Sequence, residues 1–222
     1  SAYRASNHDD IQFIRNGTSG SALGYFTNVG ETLRQGIDAS LYGAIKQFTW
    51  NTSLSLIRAT YQDEFQAFVG NNKDKSKVAK GDRIPEIPAM QLKVRLAYQA
   101  TVDWKVGATL IANSHVYLNG NENNGWYPAT NYYGNGKASG YGLLNLDTQY
   151  RPSQGNLTYF AKISNVFNRA NNTGGLQGAS MFDQRTNAYA GDDYRTSLFA
   201  PGAPRAAWVG IRYTFDKPSR NN

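Results

Sequence analysis

The stretch AAWVGIRYTF, residues 206–215, decides the fold. Every second residue from Ala207 gives Ala207, Val209, Ile211, Tyr213 and Phe215, an apolar set that ends in two aromatics. The intervening residues are Trp208, Gly210, Arg212 and Thr214, and one of them is charged. A side-chain period of two describes a strand whose faces meet different surroundings. The rest of the chain must say which face is inside, and inside what.

The same alternation recurs upstream. LRQGIDASLYGAI (33–45) sets Leu33, Ile37, Ala39, Leu41 and Ile45 against Arg34, Asp38, Ser40 and Tyr42. FTWNTSLSL (48–56), MQLKVRLAY (90–98), WKVGATLIA (104–112), LLNLDTQY (143–150) and LTYFAKI (157–163) repeat it. A weaker first strand runs from about Tyr3 to Ile14. The total is about eight strands. The phase slips near Ile57 and Arg58, which predicts a bulge or the edge of a membrane there. No segment reads as a helix, and the two prolines of KGDRIPEIP (80–88) forbid one.

The connections alternate in length. Lys46-Gln47, Thr101 to Asp103 and Arg151 to Asn156 are short turns. Asp63 to Pro88, Asn119 to Ser139 and Asn168 to Arg205 are long polar stretches. That is an up-and-down meander with its long loops on one side, the asymmetry of a membrane barrel. Phe48, Trp50, Tyr98, Trp104, Tyr150, Tyr159, Tyr213 and Phe215 all lie at the short-turn end, on the apolar phase. Such a band is an interfacial girdle. A soluble antiparallel sandwich also alternates, but nothing in it would confine aromatics to one level.

The charges agree. Arg34, Asp38, Lys93, Arg95, Lys105, Asp147, Lys162 and Arg212 share the polar phase, and up to Arg58 the apolar phase of those strands carries none. A basic residue facing lipid at mid-bilayer costs about 2–4 kcal/mol, so this segregation is what lipid selects. The apolar face therefore looks at lipid, and Arg212 looks into a polar lumen.

Composition removes other classes. The 222 residues contain no cysteine, which excludes a disulfide scaffold, a thiolate metal site and a cysteine nucleophile. His8 and His115 are the only histidines, too few for a multi-histidine zinc site. The net charge of +7 is spread along the chain, and the densest basic run, KDKSKVAKGDR (73–83), contains two aspartates. With no helix motif or RNA-binding signature beside it, that charge does not point to nucleic acid. No apolar run approaches about 18 residues, so no helix crosses a membrane, which leaves β-strands open.

Four motifs in order carry a family resemblance. YFTNVGETLRQGIDASL (25–41) resembles the N-V-G…G-(V/I)-(E/D) signature of TonB-dependent outer-membrane receptors. GDRIPEIPAMQLKVRLAY (81–98) resembles their G-x-x-(I/L)-P-x-(I/V)-P approach to a descending strand. ISNVFN (163–168) is similar to their N-(L/V)-F-(D/N), and APGAPRAAWVGIRYTF (200–215) to their last loop and last strand. The resemblance implies an all-β, antiparallel up-and-down transmembrane β-barrel segment of about eight strands, the last third of a 22-stranded barrel. On that reading residues 1–222 are the C-terminal portion, with the plug domain and TonB box outside it. It implies import of a ferric siderophore or similar metal chelate across the bacterial outer membrane, energised through TonB. The partners it implies are the remainder of the receptor, the TonB complex, the chelate, and outer-membrane lipid and lipopolysaccharide. The alternative is a self-contained eight-stranded barrel or passive pore, for which the first strand should be as regular as the last.

No catalytic constellation, metal-spaced pair or cofactor motif accompanies these features, so neither an enzyme nor a resident cofactor is expected. Ligand contacts are expected from the long loops. NNGWYPATNYYGNG (123–136) supplies Trp126, Tyr127, Tyr132 and Tyr133. FDQRTNAYAGDDYRTSLF (182–199) supplies Arg185, Tyr189, Tyr194 and Arg195. Rings and guanidinium groups suit planar, anionic chelates through stacking and charge-assisted hydrogen bonds. The same rings can instead pack the loops together. His115, near the top of its strand, is a ligand contact or a member of the lumenal hydrogen-bond network.

Overall fold

The computed structural model describes residues 1–15, 24–67, 76–125, 132–133, 136–183 and 185–215. Its strands are β1 (Ala2–Asn7), β2 (Ile11–Arg15), β3 (Gly24–Asn28), β4 (Thr32–Ile45), β5 (Phe48–Tyr61), β6 (Phe65–Ala67) and β7 (Ser76–Val78). There follow β8 (Met90–Gln99), β9 (Trp104–Asn113), β10 (Val116–Tyr117), β11 (Tyr132–Tyr133) and β12 (Lys137–Ala138). The last five are β13 (Tyr141–Tyr150), β14 (Leu157–Ser164), β15 (Asn172–Phe182), β16 (Tyr189–Pro201) and β17 (Ala206–Tyr213). The described residues contain no helix.

Eight strands form one antiparallel sheet in the order β1-β4-β5-β8-β9-β13-β14-β17. Each spanning strand is bonded to the spanning strands before and after it in sequence, which is the expected meander. No pairing among the described residues joins β1 to β17. The sheet is open, so it is not a self-closed eight-stranded barrel.

Register fixes the faces, because residues paired across strands share a side of the sheet. Phe48 pairs with Tyr98, Trp104 with Tyr150, and Tyr150 with Tyr159. These rings therefore share one face at the short-turn end, with ring centroids 4.6 Å apart for Phe48 and Tyr98 and 6.4 Å for Tyr150 and Tyr159. The face that carries them is uncovered: Leu41 is 64% exposed and Ile211 65%. A contiguous apolar surface of this extent needs a lipid partner.

The buried core lies elsewhere. Ile14, Val29, Ala59, Tyr61, Ala67, Val78 and Ile84 form one cluster, with Tyr25, Phe65 and Ile87 packed against it. Val116, Leu118 and Ala138 form a second. The first sits at the long-loop end, where the β2–β3 and β6–β7 hairpins fold over the top of β5, and the second sits at the β10–β12 pair that follows β9. The sheet contributes little to either cluster because lipid, not protein, covers its apolar side.

One expectation is corrected, and of the two alternatives at Ile57 and Arg58, a bulge or the edge of the membrane, the bulge is removed. The first strand is not continuous from Tyr3 to Ile14. It ends at Asn7, and Asp9, in the left-handed region at φ 53°, turns the chain so that β2 leaves the sheet to pair with β3. Nor does a bulge break β5 near Arg58: β4 and β5 pair without a shift from Ile45↔Phe48 to Thr32↔Tyr61. What changes there is the neighbour. Ladder pairing with β8 stops at Leu56, Ile57 still bonds Ala89, and beyond it Ala59 and Tyr61 bond the backbone of Ile84 and Asp82.

Candidate functional site

The long-loop end is assembled by local devices that the motifs encode. In Asn28-Val29-Gly30, Asn28 Oδ1 accepts from the Gly30 amide at 2.8 Å, Val29 is buried, and Gly30 adopts φ +77°. That backbone region favours glycine. A Cβ on Gly30 would also collide with the Asp63 side chain, whose Oδ2 accepts from the Glu31 amide at 2.7 Å. The turn thereby ties the start of β4 to the loop beyond β5.

Beside it, Asp10 accepts from Thr32 Oγ1 at 2.7 Å, Gln12 Nε2 at 3.0 Å and Arg34 at 3.3 Å. Burial alone would raise the Asp10 pKa, but the bonds from Thr32, Gln12 and Arg34 together hold it below the ordinary carboxylate value. Asn165 acts similarly at the exit of β14. Its amide nitrogen donates to the carbonyls of Arg169 and Ala203, and its Oδ1 accepts from the Arg169 amide. This joins the start of the last long loop to the approach of β17.

That last loop is ordered as a hairpin, β15 against β16, with shifts between Asn172 and Gly174 and between Ser180 and Phe182. β11 adds to it in parallel, pairing Tyr132 with Arg195 and Tyr133 with Thr196. Tyr194 is opposite Ser180 in the same sheet. Four of the expected ligand residues, Tyr132, Tyr133, Tyr194 and Arg195, are therefore on adjacent strands of one three-stranded sheet. Arg185 lies exposed in the turn between β15 and β16, its amide donating to Asp183 Oδ1 at 2.8 Å. Tyr189 is exposed and packs edge-on against Phe182 at 6.2 Å.

His115 is separate from that sheet. It lies between β9 and β10, edge-on to Tyr117 at 5.8 Å. Partial burial, then the positive charges of Lys137 and Arg83, lower its pKa, so the imidazole is neutral at neutral pH. The Val116-to-Asn119 segment nonetheless reaches the hairpin, because Asn119 bridges Leu176 in parallel. Trp126 and Tyr127 fall outside the described residues.

Below the loops, the polar face of the sheet carries an ion pair absent from the sequence reading. Arg95 on β8 reaches over β9 to Asp147 on β13, with Nη1–Oδ1 at 2.6 Å and Nη2–Oδ2 at 2.8 Å. Arg95 also donates to Thr109 Oγ1 at 3.1 Å. The path between them is cleared by Gly107: a Cβ there would lie 2.8 Å from both Arg95 Nη2 and Asp147 Oδ2. Each residue was visible on the polar phase. Their pairing needed the three strands written in register. Nearby, Asp38, Ser40, Ser53, Ser55, Gln91 and Lys93 line an open trough of about 550 Å³ on the same face.

An open sheet, lipid-exposed on one side, charged on the other and roofed by long hairpins, is the wall of a large membrane barrel. Residues 1–166 match the TonB dependent receptor-like β-barrel. The chain belongs to that family. Barrels of the TonB-dependent receptor family are outer-membrane proteins. No curated relative matches by sequence.

Among solved structures, the siderophore receptor PiuA from Acinetobacter baumannii superposes with a TM-score of 0.64 at 13% identity, over 96% of this chain and 25% of PiuA. The ferric-catecholate import receptor Fiu of E. coli K12, in its closed form, gives 0.59 at 16% identity, over 95% and 24%. The copper transporter OprC gives 0.59 at 17% identity, over 96% and 27%. The chain thus spans about a quarter of each of these receptors. At these identities the likeness establishes the fold.

Proposed function

We propose that this chain is the C-terminal part of the barrel of an outer-membrane receptor that binds and imports a ferric siderophore or similar metal chelate, energised through TonB. The observation that carries the ligand class is the parallel pairing of β11 with β16, which sets Tyr132 and Arg195, an aromatic and a guanidinium residue, at one register position on the same face of the long-loop sheet. Aromatic faces stack on flat chelators, and guanidinium binds their anionic oxygens in bidentate fashion. The siderophore and ferric-catecholate receptors among the similar structures support the same class. The remainder of the barrel supplies strands for the free edges of β1 and β17, since lipid offers no partner to a bare strand edge. The plug and the TonB contact belong to that remainder.

The test uses the full-length receptor. Replacing Arg185 and Arg195 together by alanine is expected to raise the Kd for the ferric siderophore about tenfold or more, since a charge-assisted hydrogen bond contributes roughly 1.5–3 kcal/mol. Heat-modifiable migration of the barrel should be unchanged. Chelate uptake in cells should vanish when TonB is deleted. Unchanged binding in the double variant would reduce the two arginines to shaping the loop, and TonB-independent uptake would remove active transport.

A further inference from the structure

A cavity of about 540 Å³ lies at the long-loop end, between the entry to β13 and the base of the β15–β16 hairpin. Tyr141 lines it from β13, Pro201 and Gly202 from the end of β16, and residues 168–172 from the segment that follows β14. Its walls are bonded in place. Asn165 holds Arg169 and Ala203, Asn168 Oδ1 accepts from the Arg205 amide at 3.0 Å, and the Gly202 amide donates to the Asn171 carbonyl at 2.8 Å. A frame tied this way is preorganised for whatever it binds.

Two side chains of this lining take no part in holding the fold. Arg169 is exposed, and among the described residues no carboxylate lies within ion-pair distance of its guanidinium. Asn171 Nδ2 and Oδ1 are both shut off from solvent, and neither has a hydrogen-bond partner. The amide lies instead against Gly202, where a Cβ would collide with both atoms. A buried amide with neither atom bonded is costly, and native proteins keep few of them.

The lining defines the chemistry of a ligand. Arg169 is its one charged residue among the described ones, so the ligand brings a negative group. A guanidinium fork matches the two oxygens of a carboxylate. Asn171 offers a donor and an acceptor side by side, and a hydroxyl answers both at once. An anion with no O–H would leave Oδ1 unsatisfied. Arg169 and Asn171 are two positions apart in one segment, so the two ligand groups must be neighbours. We propose that Arg169 and Asn171 bind an α-hydroxycarboxylate whose hydroxyl is free of metal. The guanidinium takes the carboxylate, and the amide, turned off Gly202, takes the hydroxyl. The site goes beyond the import reading and depends neither on the Tyr132–Arg195 pairing nor on TonB.

The experiment measures binding to the full-length receptor in detergent by equilibrium dialysis. The probes are citrate, tricarballylate, which is citrate without its hydroxyl, and sulfate. Wild type is expected to bind citrate about tenfold more tightly than tricarballylate, and sulfate less tightly than either. Asn171→Ala should bring citrate down to the level of tricarballylate and leave tricarballylate unchanged. Arg169→Gln should weaken both acids about tenfold. Because neither side chain is bonded in the fold, both variants should keep the heat-modifiable migration of wild type. Equal binding of citrate and tricarballylate by wild type, a difference that survives Asn171→Ala, or undiminished affinity in Arg169→Gln overturns the site. Sulfate bound as tightly as citrate overturns the hydroxycarboxylate as its ligand. A receptor that binds a ferric siderophore but treats the two acids alike refutes this site and leaves the import reading standing.

Discussion

At Gly107 one absent carbon lets charges two strands apart meet. Gly107→Ala should weaken the Arg95–Asp147 pair by placing a methyl 2.8 Å from both partners. The expected loss is about 1 kcal/mol, because the pair is partly solvated and Arg95 keeps Thr109 as an acceptor. Urea unfolding of the full receptor in vesicles measures it, and in an Arg95→Ala background the same glycine substitution should cost markedly less. Asp10 carries a pH dependence of known sign. Its folded pKa lies below the ordinary carboxylate value, so its contribution to stability is complete above the unfolded pKa. It is lost as pH falls through the usual carboxylate range toward the folded value. Amide hydrogen exchange in β2 and β3 should accelerate over that acid window, and Asp10→Asn should remove the dependence.

The spanning strands make the sharpest face test. Arginine at Leu92, Val94 or Leu146 points to lipid, whereas at Gln91 or Asn145 it points to the lumen. The first set should cost about 2–4 kcal/mol each near mid-bilayer and the second close to nothing, read as folding yield in lipid vesicles. Equal yields would refute the membrane assignment. These strands were legible in the sequence because lipid on one side and water on the other impose a strict alternation. The hairpin of β15 and β16 was not. GGLQGAS has no hydropathic period of two, because what the hairpin buries is polar, Gln177 in β15 and Thr196 and Ser197 in β16, so no apolar count marks it. The split between β1 and β2 was hidden for a related reason: the turn at Asp9 leaves the apolar count on either side intact. The candidate ligand residues could be picked out by type, yet not by neighbourhood. Tyr132 meets Arg195 through a parallel pairing across more than sixty positions, which no local pattern records.

For the whole molecule, two kinds of surface do separate work. The sheet gives up a protein core to lipid, and the loop layer builds its own cores from Ile14, Tyr61, Val78 and Leu118. The loop layer can therefore hold a fixed shape above the membrane independently of how the wall beneath is solvated. The order of the wall has a mechanical consequence as well. Because spanning neighbours in space are spanning neighbours in sequence, a force applied to the C-terminus does not load the hydrogen-bond ladders in parallel. It reaches β17 first, then β14, then β13, and each must yield before tension passes to the next. Pulling single receptors from a bilayer with a cantilever should give a saw-tooth trace. The intervals between peaks should grow where a long connection such as that between β14 and β17 is released, and shrink where a tight turn such as Lys46-Gln47 is. A chain built this way resists extraction as a zip resists, one tooth at a time.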